Sequence, residues 1–139
     1  MAGYSGTTLR KKLGIGNEMK IMLYNPPANY RELVEYDIEP QITKKTSLAD
    51  FAHLFVTSRK ELEKEFSAII SSAKDGLVIW VSWYKKSAGI VTDITENAIR
   101  EIVLPKGWVD IKVCAVDDKW SGLKIVKRKR KLSGKKTFI

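Results

Sequence analysis

The loop at residues 85–93 combines the residue types that could bind a small anion. Two lysines, Lys85 and Lys86, precede the hydroxyl groups of Ser87 and Thr92, and a predicted helix follows directly. Ammonium groups and the N-terminus of a helix both favour negative charge, so a carboxylate or a phosphate is the expected ligand. The alternative is a solvated loop in which Asp93 caps that helix, because loop polarity by itself is only a correlation.

Three further residues, Asn25, Ser58 and Trp120, lie next to the ends of other predicted strands. The carboxyl ends of parallel strands lie at one edge of a sheet, which is where ligands bind in open α/β folds. Trp83 and Trp120 could form a stacking platform at that edge, although a Trp at a strand end more commonly covers the core. We therefore predict one ligand-binding hollow formed by Asn25, Ser58, Lys85, Lys86, Ser87, Thr92 and Trp120.

A single histidine and a single cysteine limit the chemistry available to this chain. With His53 alone, a Ser-His-Asp triad and a multi-histidine metal site are both impossible within one chain. With Cys114 alone, an intrachain disulfide and a cysteine-based zinc site are impossible, which fits a reducing cytoplasm. The adjacent Asp117 and Asp118 are typical of a hairpin turn rather than of a metal site. We predict no catalytic residue, no metal and a cytoplasmic location.

Positive charge is concentrated at the C-terminal end of the chain. The formal net charge is +9, and residues 123–139 hold eight basic residues and no acidic ones. The preceding 122 residues are therefore nearly neutral. The tail at residues 127–139 could attract nucleic acid or acidic lipid without specificity, since no aromatic residues are interleaved with its charges. Its alternative role is to keep an edge strand from aggregating.

The order of apolar and capping residues predicts the elements that position these groups. Apolar runs predict strands at residues 20–24, 51–56, 77–81, 109–115 and 123–126, with a minor strand at 41–43. Helices are expected after Asn29, Ser58 and Asp93, each followed three residues later by a glutamate, as in a capping box. No apolar run approaches the roughly 18 residues that a membrane span needs.

This order predicts an α/β fold, namely a Rossmann-like three-layer domain. Its sheet is expected to be mostly parallel with a C-terminal antiparallel hairpin, because strands that alternate with helices form βαβ units. The length of 139 residues fits one domain. We predict that domain at residues 1–126, with residues 1–18 as an N-terminal arm, followed by the basic tail at residues 127–139.

Residues 51–83 resemble the fourth strand, the following helix and the fifth strand of class I methyltransferases. The helix ends at Asp75-Gly76, where those enzymes often have a Gly-Gly turn, and residues 109–126 resemble their final antiparallel pair. The chain as a whole also resembles a family of small bacterial proteins known only as a domain of unknown function. The segments that carry this second resemblance are residues 3–7, 12–15, 85–87, 92–93, 112–117 and 120–123.

The first resemblance implies an adenosylmethionine-dependent enzyme, but the loop after the first strand departs from that class. A glycine-rich loop is expected there, whereas this chain has Asn25-Pro26-Pro27-Ala28-Asn29. Prolines lack an N–H group and fix an extended path, so this loop is poorly suited to cradle a cofactor. We therefore predict no cofactor. The leading hypothesis is a non-enzymatic module that binds a small anionic ligand or a protein partner. The alternatives are a decayed methyltransferase-like enzyme and a nucleic-acid-associated protein that acts through its tail.

Overall fold

The computed structural model describes residues 8–129, in which five strands alternate with four α-helices and several short 3₁₀ turns. In chain order these elements are α1 (Leu9–Leu13), β1 (Ile21–Tyr24), α2 (Tyr30–Val34), β2 (Phe51–Phe55), α3 (Arg59–Ile70), β3 (Val78–Tyr84), α4 (Glu96–Val103), β4 (Trp108–Ala115) and β5 (Trp120–Lys127). The five predicted strands are each found within a few residues of their expected positions.

The five strands form one sheet in the order β1-β2-β3-β5-β4. The first three strands pair in parallel, whereas β5 runs antiparallel to both β3 and β4. Four strands thus share one direction, although only two of the four pairings are parallel. The predicted α/β fold and its C-terminal hairpin are confirmed. The hairpin places the apolar strand β5 inside the sheet and leaves β4, whose centre is exposed, at the edge.

Each face of the sheet packs against helices and forms its own apolar core. The helices α3 and α4 cover one face with side chains that include Leu62, Phe66 and Ile99. The helices α1 and α2 lie on the other face, where Leu13 packs in the same cluster as Trp80 of β3. The molecule therefore has the expected three layers. Within residues 8–129, no helix is both long and apolar enough to cross a membrane.

Residues 8–18, the described part of the predicted N-terminal arm, contain the short helix α1 and pack against the sheet through Leu9, Leu13 and Ile15. Thr8 caps α1 by accepting a hydrogen bond from the backbone N–H of Lys11 at 3.2 Å. Leu9 and Leu13 are buried, and the indole N–H of Trp80 donates to the carbonyl oxygen of Leu13 at 3.0 Å. The sequence predicts at most a short helix here, because so few residues cannot show a periodicity. Residues 1–7 of the predicted arm and 130–139 of the predicted tail lie outside the described residues.

Two predictions for the connection between β1 and β2 are wrong in detail. Asn29 makes no side-chain hydrogen bond to α2, because its backbone (φ −95°, ψ 19°) does not adopt the extended conformation of an N-cap. The minor strand at residues 41–43 is reduced to one parallel bridge between Ile42 and Ile21. Gln41 belongs to a 3₁₀ turn, and its side-chain amide donates to two backbone carbonyl oxygens, including that of Met19 at 2.9 Å.

His53 is fully buried at the centre of β2. Its Nδ1 atom lies 2.9 Å from the hydroxyl oxygen of Tyr30, and its Nε2 atom lies 2.7 Å from that of Ser82. Burial lowers the pKa of His53 to about 3, so the ring is neutral near pH 7. His53 is thus a core residue with both nitrogens hydrogen-bonded, and it joins β2 to α2 and to β3.

Candidate functional site

An open hollow of about 690 Å³ lies at the edge of the sheet where β1, β2 and β3 end. The loop after β1 forms one side, and the tip of the β4–β5 hairpin forms the opposite side. The sequence predicts a ligand site at this edge, where the carboxyl ends of the parallel strands lie. The lining residues are Asn25, Pro27, Ala28, Asn29, Phe55, Thr57, Glu61, Tyr84, Ile90, Asp117, Asp118, Lys119 and Trp120.

The carboxylate of Glu61 is held in place on the β1 side of the hollow. It accepts a hydrogen bond from the hydroxyl of Tyr24 at 2.9 Å and another from the backbone N–H of Thr57 at 2.8 Å. Burial, followed by the hydrogen bond to Glu61, raises the pKa of Tyr24 to about 12, so Tyr24 stays a donor. Ser58 also fixes the position of Glu61. Its hydroxyl oxygen caps α3 by accepting a hydrogen bond from the Glu61 N–H at 3.0 Å.

Asn25 closes this side of the hollow immediately after β1. Its φ of 51° places it in the left-handed region, which asparagine tolerates better than most residues. The chain therefore turns sharply at the end of the strand, and the side-chain amide points toward Glu61, at 3.4 Å between Nδ2 and Oε2. The two prolines that follow contribute no N–H group to the hollow.

Two stacked aromatic rings form the hairpin side of the hollow. The ring of Trp120 lies 3.9 Å from that of Tyr84 with an interplanar angle of 26°, and it meets Phe55 edge-on at 4.9 Å. Tyr84 and Trp120 are directly opposite in the β3–β5 pairing, so their side chains share a face. Trp83 points to the other face and packs in the core beneath α3 and α4. The predicted Trp83–Trp120 platform is therefore wrong, and Tyr84 takes the place of Trp83.

The hairpin tip is a turn that is fixed by one aspartate. The Asp117 carboxylate accepts hydrogen bonds from the backbone N–H groups of Lys119 at 2.8 Å and Trp120 at 2.9 Å. The carbonyl oxygen of Lys119 in turn accepts from the N–H of Lys85 at 2.8 Å, which ties the tip to the end of β3. Asp118 is exposed and makes no comparable turn contact among the described residues.

The charge that lines the hollow is mainly negative. Three carboxylates, those of Glu61, Asp117 and Asp118, face a single ammonium group, that of Lys119. A concave surface lined by one sign of charge attracts ligands of the opposite sign. The hollow therefore favours a cation or a ligand rich in N–H and O–H donors. This differs from the anionic ligand that the sequence predicts.

Of the seven predicted site residues, the structure places only Asn25 and Trp120 on the lining of the hollow. Ser58 caps α3, and the hydroxyl of Thr92 donates to the carbonyl oxygen of Thr57 at 2.6 Å. The remaining three lie at or beyond the end of β3 and do not line the hollow; they are Lys85, Lys86 and Ser87. Binding of an anion by the 85–93 loop stays a prediction.

Asp93 caps a helix, but a different one from the predicted helix. The helix α4 begins at Glu96, and Thr95 is its N-cap, accepting from the Ala98 N–H at 3.0 Å. The Asp93 carboxylate instead accepts from the backbone N–H of Arg59, the first residue of α3, at 2.7 Å. The predicted capping box with Glu96 is therefore wrong, because an N–H group from another element competes for the carboxylate.

Sequence reasoning missed the residues that give the hollow its chemistry. The sequence predicts only a helix-capping role for Glu61 and only a turn at Asp117 and Asp118. Tyr24 and Tyr84 are the last residues of β1 and β3, and only this position in the sequence could have indicated that they belong to the site. Across residues 8–129, no cluster of three or more His, Cys, Asp or Glu side chains could hold a metal ion.

Similar folds occur among solved structures at low sequence identity. The tRNA methyltransferase TrmK of B. subtilis superposes with a TM-score of 0.56 at 9% identity, over 88% of this chain and 66% of that one. A ribosomal protein methylase from Lactobacillus delbrueckii gives 0.53 at 11% identity, over 87% and 76%. A protein of the NADB-Rossmann superfamily from Streptococcus agalactiae gives 0.52 at 7% identity, over 91% and 71%.

These similarities define the class of fold. The chain has a Rossmann-like α/β fold of the methyltransferase-like kind. It spans just under two thirds of the length of the TrmK structure. No protein-family model matches the sequence, and no curated protein matches it.

Proposed function

We propose that this protein is a diverged methyltransferase-like enzyme that binds adenosylmethionine, or a close relative of it, in the hollow. The observation that carries the proposal is that aromatic rings and carboxylates occur together in the hollow. An aromatic pair and three carboxylates line one concave surface at the carboxyl ends of three parallel strands. The methyltransferase-like fold supports the same class of ligand. The proposal replaces the anionic ligand as the leading hypothesis.

The residues of the hollow fit the chemistry of adenosylmethionine. That molecule supplies a transferable methyl group on a positively charged sulfonium, together with an ammonium group, a flat base and ribose hydroxyls. The half-buried ring of Tyr84, which stacks on the buried Trp120, would contact the base, because aromatic rings favour offset stacking. The carboxylates of Asp118 and Glu61 would accept hydrogen bonds from hydroxyl or ammonium groups. The volume of about 690 Å³ lies within the range of small-molecule sites.

The proline pair after β1 gives a reason to expect weakened binding. Pro26 and Pro27 supply no N–H donors, so the loop offers fewer hydrogen bonds than a glycine-rich one. Ala28 and Asn29, which also line the hollow, keep their N–H groups. We therefore propose a diverged site that depends more on the hairpin side than on the first loop.

As parts of the same proposal, the chain belongs to the small bacterial family that it resembles and acts in the cytoplasm.

Isothermal titration calorimetry with two ligands and two variants tests this function. Adenosylmethionine should bind more tightly than adenosylhomocysteine, which lacks the positive sulfonium, because the hollow is acidic. Asp118→Asn should weaken adenosylmethionine binding by roughly tenfold, the effect of losing one charged hydrogen bond. The matched control is Asp75→Asn, which removes the same charge from an exposed turn after α3.

Two results would contradict the proposal. One is the absence of any binding heat at millimolar adenosylmethionine. The other is an equal loss of affinity in Asp118→Asn and Asp75→Asn, which would indicate general charge rather than the hollow. Binding of a small anion at the 85–93 loop, or of a protein partner, would then be the next proposal to test.

A further inference from the structure

Two neighbouring aliphatic residues, Ile90 and Val91, are exposed beside the hollow. Ile90 lines the hollow and is 43% exposed, whereas Val91 is 96% exposed. Single exposed apolar residues are common on protein surfaces, but these two adjoin a concave site. Apolar surface beside a groove and bounded by polar residues is typical of a binding site for another molecule. We call Ile90 and Val91 the aliphatic pair.

The loop that carries the aliphatic pair is held at both ends. At its start, the backbone N–H of Lys85 donates to the carbonyl oxygen of Lys119 at 2.8 Å, which fixes the loop to the hairpin tip. At its end, the hydroxyl of Thr92 donates to the carbonyl oxygen of Thr57, just after β2, at 2.6 Å. A partner would therefore meet a preformed surface, which lowers the entropic cost of binding.

The negative charge of the hollow that is still free to bind a partner lies at the hairpin tip. Both carboxylate oxygens of Glu61 already accept hydrogen bonds from the chain itself. At the tip, one oxygen of Asp117 accepts both turn hydrogen bonds, and Asp118 is exposed. Within residues 8–129, none of these three carboxylates lies within 4 Å of a lysine or arginine nitrogen, although six other ion pairs form there. An external cation is the matching counter-charge.

We propose that the hollow binds an arginine side chain of a polypeptide partner, whose neighbouring apolar side chains contact the aliphatic pair. A guanidinium group is planar and carries five N–H donors. It can therefore stack on an aromatic ring and donate to a carboxylate at the same time, and the hollow offers both in Tyr84 and Asp118.

The combination of charge and apolar surface favours a polypeptide over other cations. A small free cation would leave the aliphatic pair uncovered, and the phosphates of a nucleic acid would be repelled by the carboxylates. A polypeptide supplies a cationic and an aliphatic side chain side by side. Because Tyr84 and Asp118 are also the groups proposed to hold adenosylmethionine, the partner and adenosylmethionine should exclude each other; this point rests on the proposed function.

Fluorescence anisotropy of a labelled peptide, Gly-Ser-Ile-Arg-Val-Ser-Gly with both ends capped, tests the proposal on the full chain without adenosylmethionine. Replacing its arginine by citrulline, which keeps the shape but not the charge, should weaken binding roughly tenfold. Replacing it by lysine should weaken binding several-fold, because an ammonium group lacks the planar fork. Ethylguanidinium, the side chain without its polypeptide, should compete only weakly. Adenosylmethionine at saturation should displace the peptide.

Two pairs of protein variants locate the bound peptide. Asp118→Asn should weaken its binding roughly tenfold, whereas the control Asp75→Asn, in an exposed turn after α3, should not. Val91→Ser should weaken its binding several-fold through lost apolar contact, whereas Val113→Ser, at an exposed valine of β4, should not. All four positions are exposed, and circular dichroism checks that each variant is folded.

Four results would overturn the proposal. Equal binding of the citrulline or lysine peptide would remove the role of the guanidinium group. Equal effects of Val91→Ser and Val113→Ser would remove the aliphatic pair from the surface. Competition by ethylguanidinium as strong as by the peptide would indicate a site for a small cation, and displacement by oligouridylate would indicate a nucleic-acid site. Absence of adenosylmethionine binding would contradict only the proposed function, because the peptide is measured alone.

Discussion

Between pH 5 and pH 8, the stability of this protein should depend on pH mainly through one residue, the buried His53. Burial lowers its pKa in the folded protein to about 3, whereas an unfolded chain has a value near 6.5. Above pH 6.5 the ring is neutral in both states, and its contribution to stability is complete. Between these two values the unfolded chain binds a proton that the folded protein does not. Stability is therefore lost as the pH falls from about 6.5 toward about 3.

The size of this effect follows from the shift in pKa. Each pH unit within the window lowers the free energy of unfolding by about 1.4 kcal/mol. From pH 7 to pH 5 the expected loss is about 2 kcal/mol, since the unfolded-state pKa lies inside that interval. Carboxylates titrate mainly below this interval. Asp50 and Glu63, whose pKa values are lowered by backbone or lysine contacts, lose their contribution only at still lower pH.

Urea denaturation of the wild type and of His53→Gln at pH 5, 6, 7 and 8 tests this prediction. Glutamine does not titrate, and its amide can hydrogen-bond to the hydroxyl groups of Tyr30 and Ser82. The wild type should lose about 2 kcal/mol between pH 7 and pH 5, and the variant should lose less than about 0.5 kcal/mol. Parallel pH profiles of the two proteins would refute the argument, because the histidine would then not be the titrating group.

Three further predictions concern the 85–93 loop and the tail. Asp93→Ala should lower the free energy of unfolding by about 1 kcal/mol, because its carboxylate caps α3 at Arg59; an unchanged urea midpoint would contradict this cap. Replacing both Lys85 and Lys86 by Ala should change stability by less than about 0.5 kcal/mol. The same pair of changes should abolish any thermal shift that inorganic phosphate produces, and a retained shift would remove the loop from consideration as an anion site. Deleting residues 130–139, which hold four basic residues and no acidic ones, should weaken binding to oligouridylate at low salt; unchanged binding would contradict a role for the tail in that binding.

Local sequence signals predicted the central part of the fold well. The Ser58 cap predicts α3, and the structure confirms that cap, with Leu62 and Phe66 on the buried side of the helix. The continuous apolar run before Tyr84 identified β3 as a buried strand. These predictions succeed because capping and periodicity depend on residues close together in the chain.

The candidate site was predicted only at the level of the sheet edge. Which face a side chain occupies depends on register, and a shift by one residue exchanges the two faces. Trp83 and Tyr84 are adjacent, yet only Tyr84 stacks on Trp120. Likewise, Asp93 could cap either of two helices, and only the approach of Arg59 determines which one. Contacts between distant segments decide these cases, and the sequence does not specify them locally.

The sign of the charge in the hollow also depends on contacts between distant segments of the chain. Lysines near the ends of strands favoured an anion, but Lys85 and Lys86 lie outside the lining. The hairpin tip instead brings Asp117 and Asp118 opposite Glu61. The predicted parallel strands therefore located the edge of the sheet, whereas the charges near that edge did not reveal that the lining of the hollow is mainly acidic.

A crystal structure of the protein soaked with adenosylmethionine tests the central claim most directly. The account predicts density for the ligand in the hollow, with its base against Tyr84 and its polar groups within 3.2 Å of the Asp118 or Glu61 carboxylate. Density for the ligand at another surface would contradict the account. An empty hollow at ligand concentrations that saturate binding in solution would contradict it as well.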